Sequence, residues 1–257
     1  MITPEEQKLD DLEYVKRCID GAKNIVVLTG AGISTESGVP DFASLPDYFD
    51  EDEQVSYPRQ EVMSEWFFLQ KPDAFYAYMK EHLSTKEVEP NSGHRFLAEL
   101  EKQHKVTVVT QNIDGLHEKA GSTNVIPYHG TLNQFYCPEC DRVGKMEDVT
   151  EYLDTGKLFH EVGTSGRHPV LPNITLYGQD IDPLIHFRAV QAFKEADIIL
   201  VMGTAMEVYP AAGLVLSAEA NGKRKICINK TQPPQPEIFD IVLQGTIGEV
   251  VQSLLSC

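Results

Sequence analysis

The chain has little of what nucleic-acid-binding and membrane proteins require. Its 22 basic residues stand against 39 acidic ones, a formal net charge of −17, so it lacks the positive surface with which nucleic-acid-binding proteins neutralise phosphates. The same deficit argues against docking on anionic lipid. No apolar run approaches the roughly 18 residues that a membrane span needs. We therefore expect neither nucleic acid nor membrane as a partner.

Cysteine is also scarce. The chain has five cysteines, an odd and mostly scattered set that does not make a disulfide framework in a protein of this length. Near the N-terminus, acidic residues occupy the place where a secretory signal would have a basic segment followed by an apolar one. We therefore expect no signal peptide and a protein of the reducing cytoplasm.

Short apolar runs rich in β-branched residues recur along the chain and predict buried strands. They occupy residues 24–29, 105–110, 196–203, 224–229 and 239–245, with a weaker run at 124–130. Helical patterns cover 4 to about 20, 92–103, 183–195 and 210–221. Continuous apolar strands that alternate with helices are typical of the doubly wound α/β class, a parallel Rossmann-like sheet covered on both faces.

Two segments interrupt this alternation. Residues 41–90 carry aromatic residues at helical spacing, and residues 131–182 hold several Gly and Pro without a good helical pattern. We interpret both as insertions that form a smaller lobe within one catalytic domain spanning 1–257. Its larger lobe would comprise about 1–40, 91–130 and 183–257. The acidic residues at 47 and 50–53 are expected to form a solvated loop face.

The first predicted strand ends in a glycine-rich turn, Thr29-Gly30-Ala31-Gly32-Ile33-Ser34. A strand-to-helix turn of this kind lets backbone amides approach a pyrophosphate at a helix N-terminus. As a dinucleotide fingerprint it is incomplete, because Thr35 stands where the third glycine should be. The pattern fits either a nucleotide site or a tight turn needed only for packing.

Polar side chains follow two further strands. Gln111, Asn112 and Asp114 come directly after the strand at 105–110, at the edge where open α/β sheets bind ligands. Their amides and carboxylate are suited either to hold ribose hydroxyls or a carboxamide, or to cap the following helix. His129 follows the weak strand, where a histidine serves as a general base or simply completes a turn.

The Cys137-Pro138-Glu139-Cys140 segment has the spacing of half a zinc site. Structural zinc needs four ligands, and no second Cys-x-x-Cys follows. Cys137 and Cys140 would need partners from elsewhere, and His160 and His168 lie in the segment where a second pair would stand. We expect this lobe to be held by packing instead.

In this order, the motifs closely resemble those of the sirtuins, NAD-dependent protein deacylases. The resemblance covers residues 22 to about 254. The matching motifs are GAGIS (30–34) with SGVPDF (37–42), TQNIDGLH (110–117), YHG (128–130), LPNITLYG (171–178), GTAMEVYPAAG (203–213) and the strand end Ile228-Asn229. Any one of these motifs is unspecific, but six in order make chance resemblance negligible.

The resemblance implies a role for each matching residue. His129 would be the base, and Asn112 and Asp114 would complete the catalytic set. The residues that would bind NAD are Gly30, Ala31, Gly32, Asp41, Phe42, Gln111, Asn112, Ile113, Asp114, Gly203, Thr204, Asn229, Thr246 and Ile247. Those that would pair with an extended acyl-lysine peptide by strand addition are Tyr177, Gly178, Glu207 and Val208.

Four features depart from the family pattern. Ala43 stands where the family usually has arginine, Gln179 replaces a glutamate, Ala205 replaces a serine, and the second Cys-x-x-Cys is missing. No Lys or Arg occurs from residue 36 to 57 to substitute for the loop arginine. The tyrosine and arginine pair of acid-acyl-preferring members is also not evident, so we do not expect succinyl-lysine as the substrate.

The activity implied is removal of acyl groups, acetyl in the first instance, from protein lysines, giving nicotinamide and O-acyl-ADP-ribose. NAD is the cofactor implied. Two alternatives remain: ADP-ribosyl transfer or NAD hydrolysis at the same site, and a non-catalytic NAD-sensing module. Retention of Asn112, Asp114 and His129 favours catalysis. The peptide-pairing segments at 177–178 and 208–209 favour deacylation over transfer.

Overall fold

The computed structural model describes residues 4–83, 88–137, 140, 142–145, 158–162, 166–218 and 223–257. Its elements follow one another in the order α1 (Pro4–Gly21), β1 (Asn24–Thr29), β2 (Tyr48–Asp50), β3 (Val55–Tyr57), α2 (Arg59–Val62), α3 (Glu65–Gln70), α4 (Pro72–His82), α5 (Ser92–Leu100), β4 (Lys105–Thr110), α6 (Leu116–Ala120), β5 (Val125–Pro127), β6 (Gly130–Cys137), β7 (Arg142–Lys145), β8 (Leu158–Val162), β9 (Gly166–Ile174), α7 (Pro183–Glu195), β10 (Ile198–Met202), α8 (Ala211–Ser217), β11 (Arg224–Asn229), β12 (Ile241–Gln244) and α9 (Ile247–Ser256).

A parallel sheet forms the centre of the molecule, with the strand order β12-β11-β10-β1-β4-β5. The four inner strands are buried along nearly their whole length, as expected where helices cover both faces of a parallel sheet. All six predicted strands are present, and β1, β4 and β11 have the predicted ends. The doubly wound fold class is therefore confirmed.

Each face of the sheet has its own apolar core. Helices α1, α5 and α9 cover one face through buried residues that include Val15, Ile19, Phe96, Leu97, Val250 and Leu254. Helices α7 and α8 cover the other through Ala189, Phe193, Leu214 and Val215. Within the described ranges, no helix combines the length and apolarity that a bilayer span requires.

The smaller lobe joins the two segments that interrupt the alternation. Helices α3 and α4 pack their aromatic residues, and α2 its Val62, against a four-stranded antiparallel sheet in the order β7-β6-β9-β8. Phe67 and Phe75 are buried beside Phe135 and Val170 in one apolar cluster. The hydroxyl of Tyr76 donates to the Val170 carbonyl at 2.9 Å. The aromatic segment therefore supplies the core on which the antiparallel strands rest.

The sequence pattern predicts a solvated face for the acidic residues around the β2–β3 hairpin, and Asp47, Glu51, Asp52 and Glu53 are indeed exposed. Asp50 differs because it is buried and paired. Lys71 Nζ lies 2.9 Å from Asp50 Oδ2 and 2.7 Å from Glu53 Oε1, and Asp50 is only 8% exposed. The hydrogen bond from Lys71 is the main cause that lowers the pKa of both carboxyls. Lys71 lies at the α3–α4 junction, so the pairing is long-range and no local pattern predicts it.

Candidate active site

The turns after β1 and β10 meet at the point where the strand order reverses. The chain passes from β1 to β4 on one side and returns to β10 on the other, which is where open α/β sheets form a ligand crevice. Gly32 N–H donates to the Gly203 carbonyl at 2.8 Å. A Cβ at Gly32 would lie 2.8 Å from that oxygen, and a Cβ at Gly30 would lie 2.7 Å from Thr204 Cβ. Both glycines are therefore required for the close approach of the two turns.

The glycine-rich turn does not lead into an α-helix. It continues as two short 3₁₀ turns, Ala31–Ile33 and Thr35–Ser37. The sequence pattern had predicted a helix N-terminus here, with its aligned dipole. The backbone N–H groups of Gly30 and Gly32 already donate to the Met202 and Gly203 carbonyls, so this segment lacks the aligned free amides of a helix N-terminus.

Ser34 connects Asn112 and Asp114, the two predicted catalytic residues after β4, although the sequence motifs imply no role for it. Its hydroxyl donates to Asp114 Oδ2 at 2.7 Å and accepts from Asn112 Nδ2 at 3.0 Å. Asn112 Nδ2 also donates to the Gly30 carbonyl at 3.2 Å. Both amide hydrogens of Asn112 are thus engaged, and its Oδ1 is the atom that can accept from a ligand.

Gln111 ties three strand ends together. Its Nε2 donates to the Thr29 carbonyl at 3.3 Å and to Thr204 Oγ1 at 3.1 Å. Thr204 Oγ1 in turn accepts from the backbone N–H of Met206 at 3.2 Å. The side chain that the resemblance implies for ribose binding therefore also fixes the β10 turn against β1.

His129 is held by its backbone neighbours in one tautomer. Its Nδ1 lies 3.0 Å from the Gln111 carbonyl oxygen, which only accepts, so the proton sits on Nδ1 and Nε2 keeps its lone pair. Burial lowers the pKa of His129, opposed by the hydrogen bond to Gln111. Thr175 N–H donates to the His129 carbonyl at 2.8 Å. The result is a neutral imidazole at physiological pH with a free acceptor nitrogen.

The segment after the glycine-rich turn brings a predicted cofactor residue to a predicted peptide residue. Asp41 Oδ1 accepts from the backbone N–H and the hydroxyl of Ser44, at 2.8 and 2.6 Å, and so caps the 3₁₀ turn Phe42–Ser44. The Phe42 ring packs on Tyr177 with centroids 5.7 Å apart. Ala43 is exposed on this turn.

Tyr177 forms a bridge inside the chain. Its N–H donates to the Met63 carbonyl and its carbonyl accepts from Glu65 N–H, each at 3.0 Å. Gln179 follows, and its side chain accepts from Leu176 N–H at 2.9 Å while donating to Glu65 Oε1 at 3.3 Å. Both main-chain groups of Tyr177 are therefore occupied before any peptide binds.

Residues 246–247, predicted near the adenine, begin α9. The Thr246 hydroxyl and the Glu249 carboxylate form a capping box, and Ile247 is buried in the core. Glu36 Oε2 accepts from Gly248 N–H at 2.7 Å. Asn229 Nδ2 donates to the Thr231 carbonyl at 3.0 Å. Thr246 and Glu36 thus satisfy amides of the α9 N-terminus.

The Cys-x-x-Cys segment does not present a zinc site in the part of the chain that is described. Cys137 is buried and Cys140 exposed, and a hydrogen bond with Cys137 raises the pKa of the Cys140 thiol. Among the described residues no three His, Cys, Asp or Glu side chains are grouped to hold a metal ion. His160 and His168 are paired positions in the β8–β9 register. The described residues therefore supply two neighbouring thiols and not a complete set of tetrahedral zinc ligands.

Comparison with known proteins places this site in a family. Residues 30–210 match the model of the Sir2 family. The NAD-dependent protein deacetylase 2 of Geobacillus kaustophilus is 39% identical over 254 residues, covering 96% of this chain and 97% of that protein. A solved structure of Sir2 bound to acetylated peptide has a TM-score of 0.82 at 29% identity, covering 95% of this chain and 97% of the other. Another, of Sir2 with p53 peptide and NAD+, has a TM-score of 0.80 at 29% identity, covering 95% and 96%. The chain belongs to the Sir2 family.

Proposed function

We propose that the protein is an NAD-dependent protein-lysine deacylase, with acetyl-lysine as its principal substrate. One observation carries the proposal. His129, held as the Nδ1–H tautomer, follows β5 at the same sheet edge where Asn112 and Asp114 are joined through Ser34. The same reaction is supported by the relative from Geobacillus kaustophilus, an NAD-dependent protein deacetylase, and by the related structure that is bound to acetylated peptide.

The residues at the switch point fit NAD. Asn112 Oδ1 is the acceptor left for a ribose hydroxyl, because both of its amide hydrogens are engaged. Asp114, with the Ile113 backbone, would hold the nicotinamide carboxamide. Gly203, Thr204 and Asn229 would hold the adenosine half, and residues 30–32 the pyrophosphate. When bound, NAD supplies an electrophilic ribose carbon and nicotinamide as the leaving group.

His129 would act as the general base. Its Nε2 would take the proton of a ribose hydroxyl, which would make that oxygen nucleophilic toward the acyl carbon of the substrate. Burial lowers the pKa of His129, so the imidazole is neutral above about pH 6.5 and ready to accept this proton. With one water molecule consumed as the acyl C–N bond breaks, the products would be nicotinamide, O-acyl-ADP-ribose and the free lysine.

A substrate peptide would enter by strand addition beside Tyr177. Because the main-chain groups of Tyr177 are used by Met63 and Glu65, the pairing would fall on Gly178 and on Glu207 with the N–H of Val208. The exposed Tyr177 ring, packed on Phe42, would border the acyl-lysine side chain. A peptide bound here would therefore bring its lysine toward the Asp41–Phe42 turn.

We place the reaction in the cytoplasm. Cys227 is buried, and burial raises the pKa of its thiol to about 12. Cys18 and Cys257 are likewise not disulfide-bonded. Thiols outside disulfides are the usual state in a reducing compartment.

The proposal is tested by measuring whether nicotinamide release requires an acyl group on the peptide lysine. Wild-type protein is incubated with NAD and either an acetyl-lysine peptide or the same peptide with unmodified lysine. We expect release with the first peptide only. In His129→Ala we expect the loss of deacetylated peptide and O-acetyl-ADP-ribose, because the base would act on the ribose hydroxyl and not on the departure of nicotinamide. Equal release with both peptides would contradict deacylation and favour NAD hydrolysis at the same site.

A further inference from the structure

Two buried histidines lie behind the catalytic edge, and the proposed reaction uses neither. His94 is the third residue of α5 and His117 the second of α6, and they are 0% and 1% exposed. Their rings pack edge to face with centroids 4.9 Å apart. Histidines are seldom fully buried unless their nitrogens are bonded, so their contacts indicate what they do.

The hydroxyl of Ser34 determines the protonation of His94. Ser34 has one proton, and the shorter contact, 2.7 Å to Asp114 Oδ2, directs that proton to a carboxylate that only accepts. His94 Nε2 lies 3.3 Å from the same Ser34 oxygen. Because the serine proton is already used, Nε2 must carry the hydrogen and donate it to Ser34.

On the other side of the ring, His94 Nδ1 faces both a donor and an acceptor of Asn91. Asn91 N–H lies 3.3 Å from Nδ1 and donates to it in the Nε2–H tautomer. Asn91 Oδ1 lies 3.1 Å from Nδ1 and already accepts from Gly93 N–H at 2.9 Å, so the contact with Ser34 decides the tautomer. Burial lowers the pKa of His94 to about 4, so the ring is a neutral donor at physiological pH.

Asn91 also fixes the segment that carries Ser34. Its Nδ2 donates to the Ile33 carbonyl at 2.7 Å and to Ser37 Oγ at 3.0 Å. The N-terminus of α5 therefore holds both the backbone and the hydroxyl of the glycine-rich turn. Asn91 thus bonds to residues 33 and 37 on either side of Ser34, whereas His94 bonds to the Ser34 hydroxyl itself.

We propose that His94 is a positioning residue for the reaction, one that acts on NAD binding through Ser34. Its Nε2–H fills the remaining lone pair of Ser34 and fixes the hydroxyl toward Asp114. Asn112 is then held by Ser34 and Gly30, with Oδ1 turned to the ligand. This inference rests on the proposed function, because it assigns the purpose of the Ser34 network to the nicotinamide ribose and carboxamide.

His117 provides a matched control. It is as buried as His94 and packs on the same ring, but its Nε2 contacts Thr29 Oγ1 at 3.0 Å instead of Ser34. Its Nδ1 has no hydrogen-bond partner in the described part of the chain. A phenylalanine at 117 therefore disturbs the same core without removing a donor to Ser34.

The test compares His94→Gln with His94→Asn. Glutamine places an amide N–H near the position of Nε2, whereas asparagine is one methylene shorter and does not reach Ser34. We expect the NAD dissociation constant to rise about tenfold in His94→Asn, as for loss of a buried hydrogen bond, and to stay within about threefold of wild type in His94→Gln. His117→Phe leaves the buried Thr29 hydroxyl without its contact and should lower the melting temperature about as much as His94→Asn does. It should nevertheless bind NAD as wild type does.

A double variant separates positioning from simple stabilisation. If His94 acts through Ser34, His94→Phe in a Ser34→Ala background should not weaken NAD binding further. Equal NAD affinity in His94→Asn and wild type, or independent effects of the two substitutions in the double variant, would overturn the inference. NAD affinity is measured without turnover, so a wild type that binds NAD but removes no acetyl group counts against the proposed function alone.

Discussion

The catalytic edge and the acidic hairpin beside the smaller lobe are held by different forces. At the edge, Ser34, Asn112 and Asp114 are joined by short hydrogen bonds between buried or half-buried groups. In the hairpin, Asp50 and Glu53 are held by Lys71, whose side chain is 19% exposed. Buried networks strengthen in a low dielectric. The Lys71–Glu53 pair, whose carboxylate side chain is 50% exposed, weakens as salt increases.

The two regions therefore have different tasks. The catalytic edge positions the reacting groups, and the acidic hairpin supports the surrounding loops. The edge is organised before any ligand arrives, since its donors and acceptors are already matched to one another. Preorganised geometry of this kind contributes to rate directly. The hairpin affects stability and its dependence on salt and pH, and we expect little direct effect on the chemical step.

Removing the base should break the edge most severely. His129→Ala is expected to lower deacylation by about 10²–10⁴-fold, the usual range for general-base catalysis, without changing the melting temperature appreciably. In the wild type, the rate should fall on the acid side only below about pH 6.5, because burial lowers the pKa of His129. A variant that keeps more than about a tenth of the wild-type rate would contradict the base role.

Crowding the meeting point of the two turns should have the next largest effect. Gly32→Ala puts a Cβ 2.8 Å from the Gly203 carbonyl oxygen and 2.9 Å from its Cα, neither of which can swing aside. We expect a loss of about 1–3 kcal/mol in the free energy of unfolding, with weaker NAD binding.

The control for this prediction is Gly21→Ala, where no atom lies within 4 Å of the new Cβ. It should change the free energy of unfolding by no more than about 0.5 kcal/mol. Denaturant titration measures both. Equal stability of the two variants would mean that the turns at Gly32 and Gly203 can move apart without cost.

The third largest effect is expected from an arginine at position 43, on the turn that would lie over NAD. It tests whether this turn can be improved while the catalytic edge stays unchanged. Ala43 offers no donor to a phosphate, and the next two cations after it in sequence, Arg59 and Lys71, contact Asp47 and the pair Asp50 and Glu53. Ala43→Arg should raise peptide turnover about tenfold, as a charge-assisted contact would, and lower NAD hydrolysis.

Both reactions are measured on the same preparation of Ala43→Arg and wild type. A conservative control, Ala43→Gln, adds length without charge and should give a smaller gain. No gain, or a loss, from the arginine would show that the turn has been rebuilt around alanine. A simple acetyl-lysine peptide would then be the wrong substrate.

Breaking the hairpin ion pairs should have the smallest effect. Lys71→Met is expected to lower the melting temperature at pH 7 and leave turnover nearly unchanged. Because Lys71 lowers the pKa of Asp50 and Glu53, their contribution is present above about pH 4 and is lost as the pH falls through the lowered values. The difference from wild type should therefore narrow in acid and in high salt.

Lys102→Met is the matched control for the hairpin. Lys102 and Glu99 pair at 2.6 Å with both side chains more than 60% exposed, and exposed pairs of this kind contribute little. Its melting temperature should stay close to that of wild type at every pH. A constant difference between Lys71→Met and wild type across pH would remove the ion pairs as the cause.

The sheet could be predicted from the sequence because its inner strands carry unbroken runs of β-branched residues between clear helical patterns. The strands from Asn24, Lys105 and Arg224 begin and end where the pattern predicts. The contacts within the site were less accessible, because they join distant positions. Ser34 and Asp114 are 80 residues apart, and Ser34 and His94 are 60 apart.

Two features were predicted wrongly, for different reasons. Asp50 was expected to be solvated with its acidic neighbours, because Lys71 lies about 20 residues further along the chain and in another element. The glycine-rich turn was expected to open a helix, but it continues as 3₁₀ turns with a left-handed Gly38, φ 89°. Gly38 is a conformation signal that the sequence contained, since glycine three residues after Thr35 favours a turn over a helix.

The central claim is tested most directly by the product balance of the wild-type reaction. Protein, NAD and an acetyl-lysine peptide are incubated together, and nicotinamide, O-acetyl-ADP-ribose, deacetylated peptide and ADP-ribosylated protein are measured in the same sample. The account predicts that nicotinamide, O-acetyl-ADP-ribose and deacetylated peptide form in equal amounts. Formation of nicotinamide together with free ADP-ribose or ADP-ribosylated protein, while the peptide stays acetylated, would contradict deacylation.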